Sequence, residues 1–134
     1  MKGVEKMSKV KECTILVVDD TDSSRRFVAE VLQSVYNVLE ADSGGRAIEL
    51  LIELKTKGLS IDLMLSDLIM DISVITLRDK ARELFPDLKI MYMSGSDDKD
   101  LLGPLGISED DRYYLRKPIH QKILINRVRE ILKS

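Results

Sequence analysis

The sequence predicts an α/β protein in which five strands form one parallel sheet, doubly wound, with helices on both faces. Short apolar runs alternate with segments of helical periodicity from residue 14 to the end of the chain. Such an alternation requires crossover connections, which make neighbouring strands parallel. The chain has 134 residues, of which 44% are hydrophobic and 33% charged, as expected for one globular domain.

Two strands and two helices are predicted in the first half of the chain. Residues 14–18 are apolar and largely β-branched and precede two aspartates, which predicts a buried strand. The next helix is expected to have Ser23 or Ser24 as its N-cap, because either hydroxyl can accept a hydrogen bond from a backbone N–H of the first helical turn. Residues 36–41 predict the second strand, and the helix that follows it is expected to end near Gly58.

The second half continues the alternation with one irregular interval. Residues 63–66 predict the third strand, and the next helix ends before Pro86 because the residue before proline disfavours helix. Residues 88–93 predict the fourth strand. The interval 96–111 is expected to hold only a short helix near 99–102. Residues 113–116 predict the fifth strand. This strand is expected to end at Lys117-Pro118, and the last helix follows.

Composition and charge exclude several classes of function. The net charge of -2 does not favour direct DNA binding or an anionic membrane, and no apolar run approaches the ~20 residues of a membrane span. The single cysteine, Cys13, cannot form an internal disulfide, which is typical of a cytoplasmic protein. Residues 1–11 are polar and lysine-rich and predict a lead-in without a signal peptide, before a single domain at 12–134.

Polar side chains stand at the carboxyl ends of four predicted strands. Asp19 and Asp20 follow the first strand, Asp67 the third, Ser94 the fourth and Lys117 the fifth. Ligand sites of parallel sheets lie at this edge. Three nearby carboxylates repel one another unless a cation intervenes, and oxygen-only ligands suit Mg²⁺. Each residue alone could be an ordinary turn or strand terminator, so the prediction of a phosphoryl-transfer site depends on the whole set.

These residues lie in segments that resemble the receiver domain of two-component response regulators. The segments are ILVVDD, LMLSD, IMYMSG and YYLRKPI, and the resemblance extends over roughly residues 13 to 133. The last two segments look most like receivers attached to hybrid histidine kinases. The resemblance implies a flavodoxin-like (βα)5 fold with strand order 2-1-3-4-5.

The resemblance also implies a role for each residue at the strand ends. Asp67 would accept a phosphoryl group, and Asp20 and Asp67 would hold Mg²⁺ (or Mn²⁺), with Asp19 acting mainly through water. The backbone carbonyl of Ile69 would also bind the metal, and Lys117 would pair with the phosphoryl oxygens. The domain would then be a phosphoacceptor that catalyses only its own phosphorylation and a slow autodephosphorylation.

A switch and a set of partners follow from the same resemblance. Ser94 would bind the new phosphate, and Tyr114 stands where the family has its rotating aromatic side chain. The phosphoryl donor would be a histidine kinase or a histidine phosphotransfer protein, and a downstream protein would read the changed surface. A monomer or a weak homodimer is expected.

The loop after Asp67 departs from the family pattern, which has Met-Pro and then a glycine. Asp71 stands at the proline position, no glycine follows, and the loop is one residue short. We therefore expect the loop to be unusually placed or mobile, with Asp71 or Ser73 capping the third helix. Asp71 could also join the metal site. Ile69 cannot orient a hydrolytic water, which predicts slow loss of phosphate.

Two other functions remain open on the sequence. A pseudo-receiver would keep the fold as an interaction module without phosphorylation, and the altered loop is its only support. A phosphatase with an aspartyl nucleophile would need a second acid two residues after Asp67, where the chain has Ile69. The single histidine, His120, is expected to be a surface or capping residue of the last helix.

Overall fold

A computed structural model describes residues 13–133, apart from the side chains of Ser96, Asp97 and Lys99. The predicted lead-in 1–11 lies outside the described residues. The strands are β1 (Thr14–Val18), β2 (Asn37–Ala41), β3 (Leu63–Asp67), β4 (Lys89–Ser94) and β5 (Tyr114–Arg116). The helices are α1 (Asp22–Gln33), α2 (Gly44–Thr56), α3 (Val74–Leu84), α4 (Leu102–Leu105) and α5 (Gln121–Lys133), with a 3-10 helix at Ser96–Leu101.

The five strands form one sheet in the order β2-β1-β3-β4-β5, and all four pairings are parallel. This confirms the predicted fold class and strand order. Val18, the last residue of β1, lies opposite Ala41 of β2 and Ser66 of β3. The carboxyl ends of the strands are therefore aligned at one edge, and the strand order changes direction next to β1, where parallel sheets bind ligands.

The apolar residues of the strands divide between two cores, one on each face of the sheet. Leu16 and Val18 point into the core that also contains buried residues of α2 and α3. Ile15 and Val17 point into the other core, with buried residues of α1 and α5. Because both faces are covered, β1 and β3 are buried at every position, which explains why their sequences show no apolar–polar alternation.

The predicted caps of α1 are wrong. The helix begins at Asp22, its N-cap is Thr21, and the Thr21 side chain makes no capping hydrogen bond. The N–H of Thr21 instead donates to the Asp19 carboxylate over 3.0 Å. Ser23 and Ser24 lie inside the first turn of α1. The helix thus begins before either serine, directly after the turn that the Thr21–Asp19 hydrogen bond closes.

The irregular interval is more helical than its sequence suggests, although the helices are short. The short helix expected near 99–102 is replaced by the 3-10 helix and the four-residue α4, which Gly106 ends in a left-handed conformation with φ of 76°. Leu102 is buried in the α2–α3 core.

The Lys117-Pro118 bond that follows β5 is cis.

Candidate functional site

The structure brings three carboxylates together at the carboxyl edge of the sheet. Carboxylate oxygens of Asp19, Asp20 and Asp67 all lie within 4.8 Å of one another. Asp19 is fully buried and Asp67 is 7% exposed, whereas Asp20 is exposed. Asp19 and Asp20 come directly after β1, and Asp67 ends the adjacent β3. The juxtaposition expected from the sequence is therefore present.

Lys117 lies against two of these carboxylates. Its Nζ donates to Asp19 Oδ2 over 2.9 Å and to Asp67 Oδ2 over 3.3 Å. Its backbone N–H donates to the Ser94 carbonyl over 2.8 Å, which continues the β4–β5 pairing past the end of β5. Burial alone would lower the pKa of Lys117, but the two carboxylates outweigh it and raise that pKa. An ammonium ion is thus held at the edge of an acidic cluster.

The two buried aspartates differ in their pKa values. Burial opposes ionisation of Asp19, but hydrogen bonds from the Thr21 N–H, Lys117 and Ser24 outweigh it and lower the pKa of Asp19. Burial raises the pKa of Asp67, and the charge of Asp19 raises it further against the opposing effect of Lys117. Of these two side chains, Asp67 is therefore the one whose negative charge is less fully compensated by its neighbours.

Ser94 and Tyr114 form a buried pair beside this cluster. The two hydroxyl oxygens are 2.7 Å apart, and either hydroxyl can be the donor. Ser94 is fully buried at the end of β4, and Tyr114 is 3% exposed at the start of β5. The residues that the resemblance pairs as a switch are thus in direct contact, with the tyrosine ring turned into the protein.

The loop after β3 is anchored at its beginning and at its end. The N–H of Leu68 donates to Asp67 Oδ1 over 2.8 Å and to the Met93 carbonyl over 3.1 Å. Ile69 is 52% exposed. Of the two predicted caps for α3, Ser73 is the one observed, since its hydroxyl accepts from the Ile75 N–H over 3.2 Å.

Asp71 caps a different helix from the one expected. Its carboxylate accepts from the N–H groups of Gly44 and Gly45, the first two residues of α2. These hydrogen bonds, the Gly44 bond above all, outweigh the opposing effect of burial and lower the pKa of Asp71. Asp71 is not in the group of carboxylates formed by Asp19, Asp20 and Asp67. The hydrogen bonds from Gly44 and Gly45 hold the loop against α2, and the expectation that it is unusually placed or mobile stays a prediction.

Arg25 also contacts this region, which its place in the sequence does not predict. Its Nη1 donates to the Asp19 carbonyl over 3.1 Å, and its Nε donates to Glu40 over 3.2 Å. Arg26 also pairs with Glu40, whose side chain is only 7% exposed. The network ties α1 and β2 to the backbone of the acidic site. Consecutive arginines on an amphipathic helix are ordinarily a solvated face, so the sequence offered no signal for this role.

The remaining single residues have ordinary surroundings. His120 is exposed immediately before α5, and its carbonyl accepts from the Leu124 N–H, which agrees with the predicted surface position. Cys13 is partly buried beside the start of β1. Among residues 13–133, every helix is too short or too polar to cross a membrane.

The donor set fits a hard divalent cation. It offers carboxylate oxygens from three residues within one small volume, and Mg²⁺ prefers such oxygen ligands together with water. Burial and the charge of Asp19 raise the pKa of Asp67 in spite of the nearby Lys117, so a further positive charge here would favour its ionised form. A cation near the exposed Asp20 would supply the missing compensation.

The fold and the polar groups at this edge of the sheet are those of a receiver-type signalling domain of two-component systems. The family model for the response regulator receiver domain matches residues 15–129. The chain belongs to the response regulator receiver domain family. Domains of this family interact with histidine kinases or phosphotransfer proteins, and the family typically binds Mg²⁺.

Relatives include a protein that the match covers almost completely and a much longer protein of which it covers a small part. The chain is 33% identical over 120 residues to the response regulator receiver protein CpdR of Brucella abortus (strain 2308), a match covering 88% of this chain and 95% of CpdR. It is also 33% identical to part of the sensor histidine kinase TmoS of Ectopseudomonas mendocina, covering 88% of this chain but only 12% of that protein.

Solved structures of receivers share this fold. The receiver domain of the hybrid histidine kinase CckA has a TM-score of 0.71 and 33% identity, covering 89% of this chain and 98% of that one. A response regulator from Thermotoga maritima has a TM-score of 0.73 and 30% identity, covering 91% and 98%. The sequence resemblance to receivers is thereby confirmed.

Proposed function

We propose that this receiver is phosphorylated on Asp67 by a histidine kinase or a histidine phosphotransfer protein. The observation that carries the proposal is the contact of Lys117 Nζ with both Asp19 and Asp67 inside the three-carboxylate cluster. Asp67 has the raised pKa of a carboxylate that burial and a like charge leave poorly compensated. A positive charge brought near such a carboxylate, for example by a metal ion, stabilises its ionised form.

In the proposed transfer, an oxygen of Asp67 attacks the phosphorus of the donor phosphohistidine. The new oxygen–phosphorus bond forms as the phosphorus–nitrogen bond breaks, and the electron pair of that bond stays on the imidazole nitrogen. Lys117 moves its ammonium charge from the Asp67 carboxylate to the phosphoryl oxygens. The protein acts by positioning and by charge neutralisation, as in other phosphoryl transfers.

The metal site would be formed by Asp20 and Asp67, by Asp19 mainly through water, and by the backbone carbonyl of Ile69. When bound, Mg²⁺ (or Mn²⁺) would supply positive charge that neutralises the phosphoryl oxygens. Asp19 keeps its negative charge because the Thr21 N–H and Lys117 hold its pKa low in spite of its burial. Asp20 is the exposed member of the set, from which water is most easily displaced.

Ser94 and Tyr114 would carry the signal to the surface. A serine hydroxyl donates one hydrogen bond and accepts two, so Ser94 can donate to a phosphoryl oxygen while it accepts from Tyr114. Phosphorylation would thereby fix the direction of the existing 2.7 Å hydrogen bond. The changed surface would be read by a downstream protein target in the cytoplasm, with the receiver a monomer or a weak homodimer.

Intact-protein mass spectrometry after incubation with acetyl phosphate and Mg²⁺ tests the proposal. We expect the wild type to gain the mass of one phosphoryl group and Asp67→Asn to gain none. Asp42→Asn is the matched control, because Asp42 is an exposed carboxylate near the same edge. A wild-type mass that stays unchanged, or phosphorylation that persists in Asp67→Asn, would contradict the assignment.

A pseudo-receiver is the second candidate, favoured by the departure of the Asp71 loop from the family pattern. It would keep the interaction surface but would neither bind Mg²⁺ nor accept phosphate. Mg²⁺ titration followed by calorimetry separates the two candidates. Heat that saturates at one ion per chain and disappears in Asp20→Asn supports the phosphorylated receiver, and absence of binding supports the pseudo-receiver.

A further inference from the structure

The carboxylate of Asp71 joins the loop after β3 to the N-terminus of α2. Its Oδ1 accepts from the Gly44 N–H over 2.7 Å and its Oδ2 from the Gly45 N–H over 3.4 Å. The hydroxyl of Ser43 accepts from the Arg46 N–H over 3.0 Å. The first N–H groups of a helix have no partner within the helix. In α2, Asp71 accepts from two of them although it lies 26 to 27 positions away, and Ser43 accepts from a third.

Ile72 packs on the same helix end. A Cβ atom at Gly44 would lie 2.3 Å from Ile72 Cγ1 and 2.7 Å from its Cδ1, so only glycine fits below this side chain. Adjacent residues of the loop therefore contact α2 in two ways, one by charge and hydrogen bonding and one by close packing. We call the contacts of Asp71 and Ile72 with Gly44 and Gly45 the Asp71 clasp.

The clasp leaves little freedom to the part of the loop near the acidic cluster. Leu68 is held at one side, because its N–H bonds to the Asp67 side chain and to the Met93 carbonyl. Asp71 is held at the other side by α2. Only residues 69 and 70 lie between these anchors, so the position of the Ile69 backbone depends on both of them.

We propose that Asp71 is a positioning residue that holds the Ile69 carbonyl in place for the metal ion. It takes over the restriction that the family obtains from proline and glycine, by attaching the loop to a neighbouring helix. The N-terminal end of α2 favours an anion, which explains why a carboxylate suits this position. This inference rests on the proposed function, since a receiver that binds no metal has nothing for the loop to position.

Without the clasp, the loop would occupy the metal-binding arrangement for only part of the time. The apparent dissociation constant then rises in inverse proportion to that fraction, so a loop correctly placed in about one molecule in five binds about fivefold more weakly. Excess Mg²⁺ compensates for such a defect, because it draws the loop into the binding arrangement. A residue needed only for folding would weaken binding only if most of the chain were unfolded without Mg²⁺, which circular dichroism in chelator would show.

The test compares wild type, Asp71→Ala and Asp71→Asn in the full chain, with Mg²⁺ as the titrant in calorimetry. We expect Asp71→Ala to weaken Mg²⁺ binding about fivefold. The affinity of Asp71→Asn should lie between those of the wild type and Asp71→Ala, because its single amide oxygen can replace only one of the two carboxylate oxygens. Asp42→Ala, which removes an exposed carboxylate two residues before Gly44, should stay within about twofold of the wild type. Phosphorylation by acetyl phosphate should slow in Asp71→Ala at low Mg²⁺ and recover at saturating Mg²⁺.

A second set of variants attacks the clasp from the helix. Gly44→Ala places a methyl group against Ile72 and should weaken Mg²⁺ binding to a similar extent as Asp71→Ala. Gly44→Ala combined with Ile72→Ala removes the clash and should restore binding. This pair also decides the matter if Asp71→Ala fails to fold.

Amide hydrogen exchange provides a readout that needs no metal. The amide hydrogens of Gly44 and Gly45 should exchange faster in Asp71→Ala than in the wild type. Equal Mg²⁺ affinity in the wild type and Asp71→Ala, or unchanged exchange at Gly44, overturns this inference while leaving the proposed function standing. A wild-type protein that binds no Mg²⁺ overturns both.

Discussion

The hydroxyl groups of Ser94 and Tyr114 lie 2.7 Å apart in the interior, between the ends of two adjacent strands. Both side chains are almost without solvent contact, so neither hydroxyl can exchange its partner for water at low cost. The bond joins the position next to the acidic cluster to an aromatic ring on β5. In the proposed function, this is the contact through which phosphorylation at the cluster would change the position of β5 side chains.

A double-mutant cycle measures this contact. Ser94→Ala and Tyr114→Phe should each lower the free energy of unfolding by about 1–2 kcal/mol, because each leaves the other hydroxyl buried without its partner. The double variant should lose less than the sum, with a coupling of about 1 kcal/mol. Urea unfolding monitored by circular dichroism gives the three values. Strict additivity would show that the two hydroxyls contribute independently.

Asp67→Asn should stabilise the metal-free protein. Burial and the charge of Asp19 raise the pKa of Asp67, so the ionised form costs folding energy at neutral pH. A neutral amide of the same shape removes that cost, and we expect a gain of about 1 kcal/mol in chelator, as for other functional groups held against their preference. Urea midpoints in chelator test this. Addition of Mg²⁺ should stabilise the wild type and not the variant.

Lys117→Met should have the opposite effect. The Asp19 side chain is fully buried and would lose its ammonium partner, keeping the Thr21 N–H as a donor. Because the Lys117 side chain is 23% exposed, we expect a loss of about 1–3 kcal/mol rather than the full cost of a deeply buried unpaired charge. Unfolding in urea without Mg²⁺ provides the measurement.

Two variants control the Lys117→Met experiment. Lys122→Met removes an exposed lysine of α5 and should change the free energy of unfolding by less than about 0.5 kcal/mol. Lys117→Met with Asp19→Asn removes both charges and should recover part of the loss. A Lys117→Met variant as stable as the wild type would mean that Asp19 does not depend on this partner.

Ile69→Asn should shorten the lifetime of phosphorylated Asp67. Ile69 is 52% exposed two residues after Asp67, and an apolar side chain cannot orient an attacking water. An asparagine can hydrogen-bond that water, and we expect autodephosphorylation to accelerate roughly threefold to tenfold. The decay of the phosphorylated mass gives the rate. Ile69→Leu, which stays apolar, is the matched control, and a wild type that loses phosphate faster than Ile69→Asn would refute the prediction.

Tyr92 should make the protein sensitive to alkaline pH. Burial raises the pKa of Tyr92 above its ordinary value of 10.0. Once the pH exceeds the ordinary pKa of 10.0, the unfolded chain releases the phenolic proton while the folded protein still holds it. The free energy of unfolding therefore falls as pH rises. Tyr92→Phe removes this component. Urea midpoints at about pH 8 and about pH 10.5 should differ less for Tyr92→Phe than for the wild type, and equal differences would contradict the prediction.

Much of this protein could be predicted from local pattern. The buried strand before Asp19 and the apolar stripe of α5 each follow from the order of apolar residues, which is a property of a few consecutive positions. The convergence of Asp19, Asp67 and Lys117 followed from a general rule, since parallel strands bring their carboxyl ends to one edge. No distance was needed to expect these residues together.

Other features depend on partners distant in sequence. Asp71 was expected to cap α3 or to enter the metal site, because those were the only neighbours that sequence order offered. The N–H groups of Gly44 and Gly45 become its partners only when α2 and the β3–α3 loop meet in space. Arg25 was hidden for the same reason, since its contacts with Glu40 and the Asp19 carbonyl cross between elements.

The order of residues is enough to predict the sheet, its two apolar faces and the set of polar groups at its edge, because these follow from periodicity and from the position of each residue at a strand end. The tertiary structure alone decided which hydrogen-bond donor each of those groups meets. Burial made that choice matter, since a carboxylate or hydroxyl removed from water must find a partner inside the protein. For Asp19, Ser94 and Asp71, that partner lies on another strand, loop or helix end.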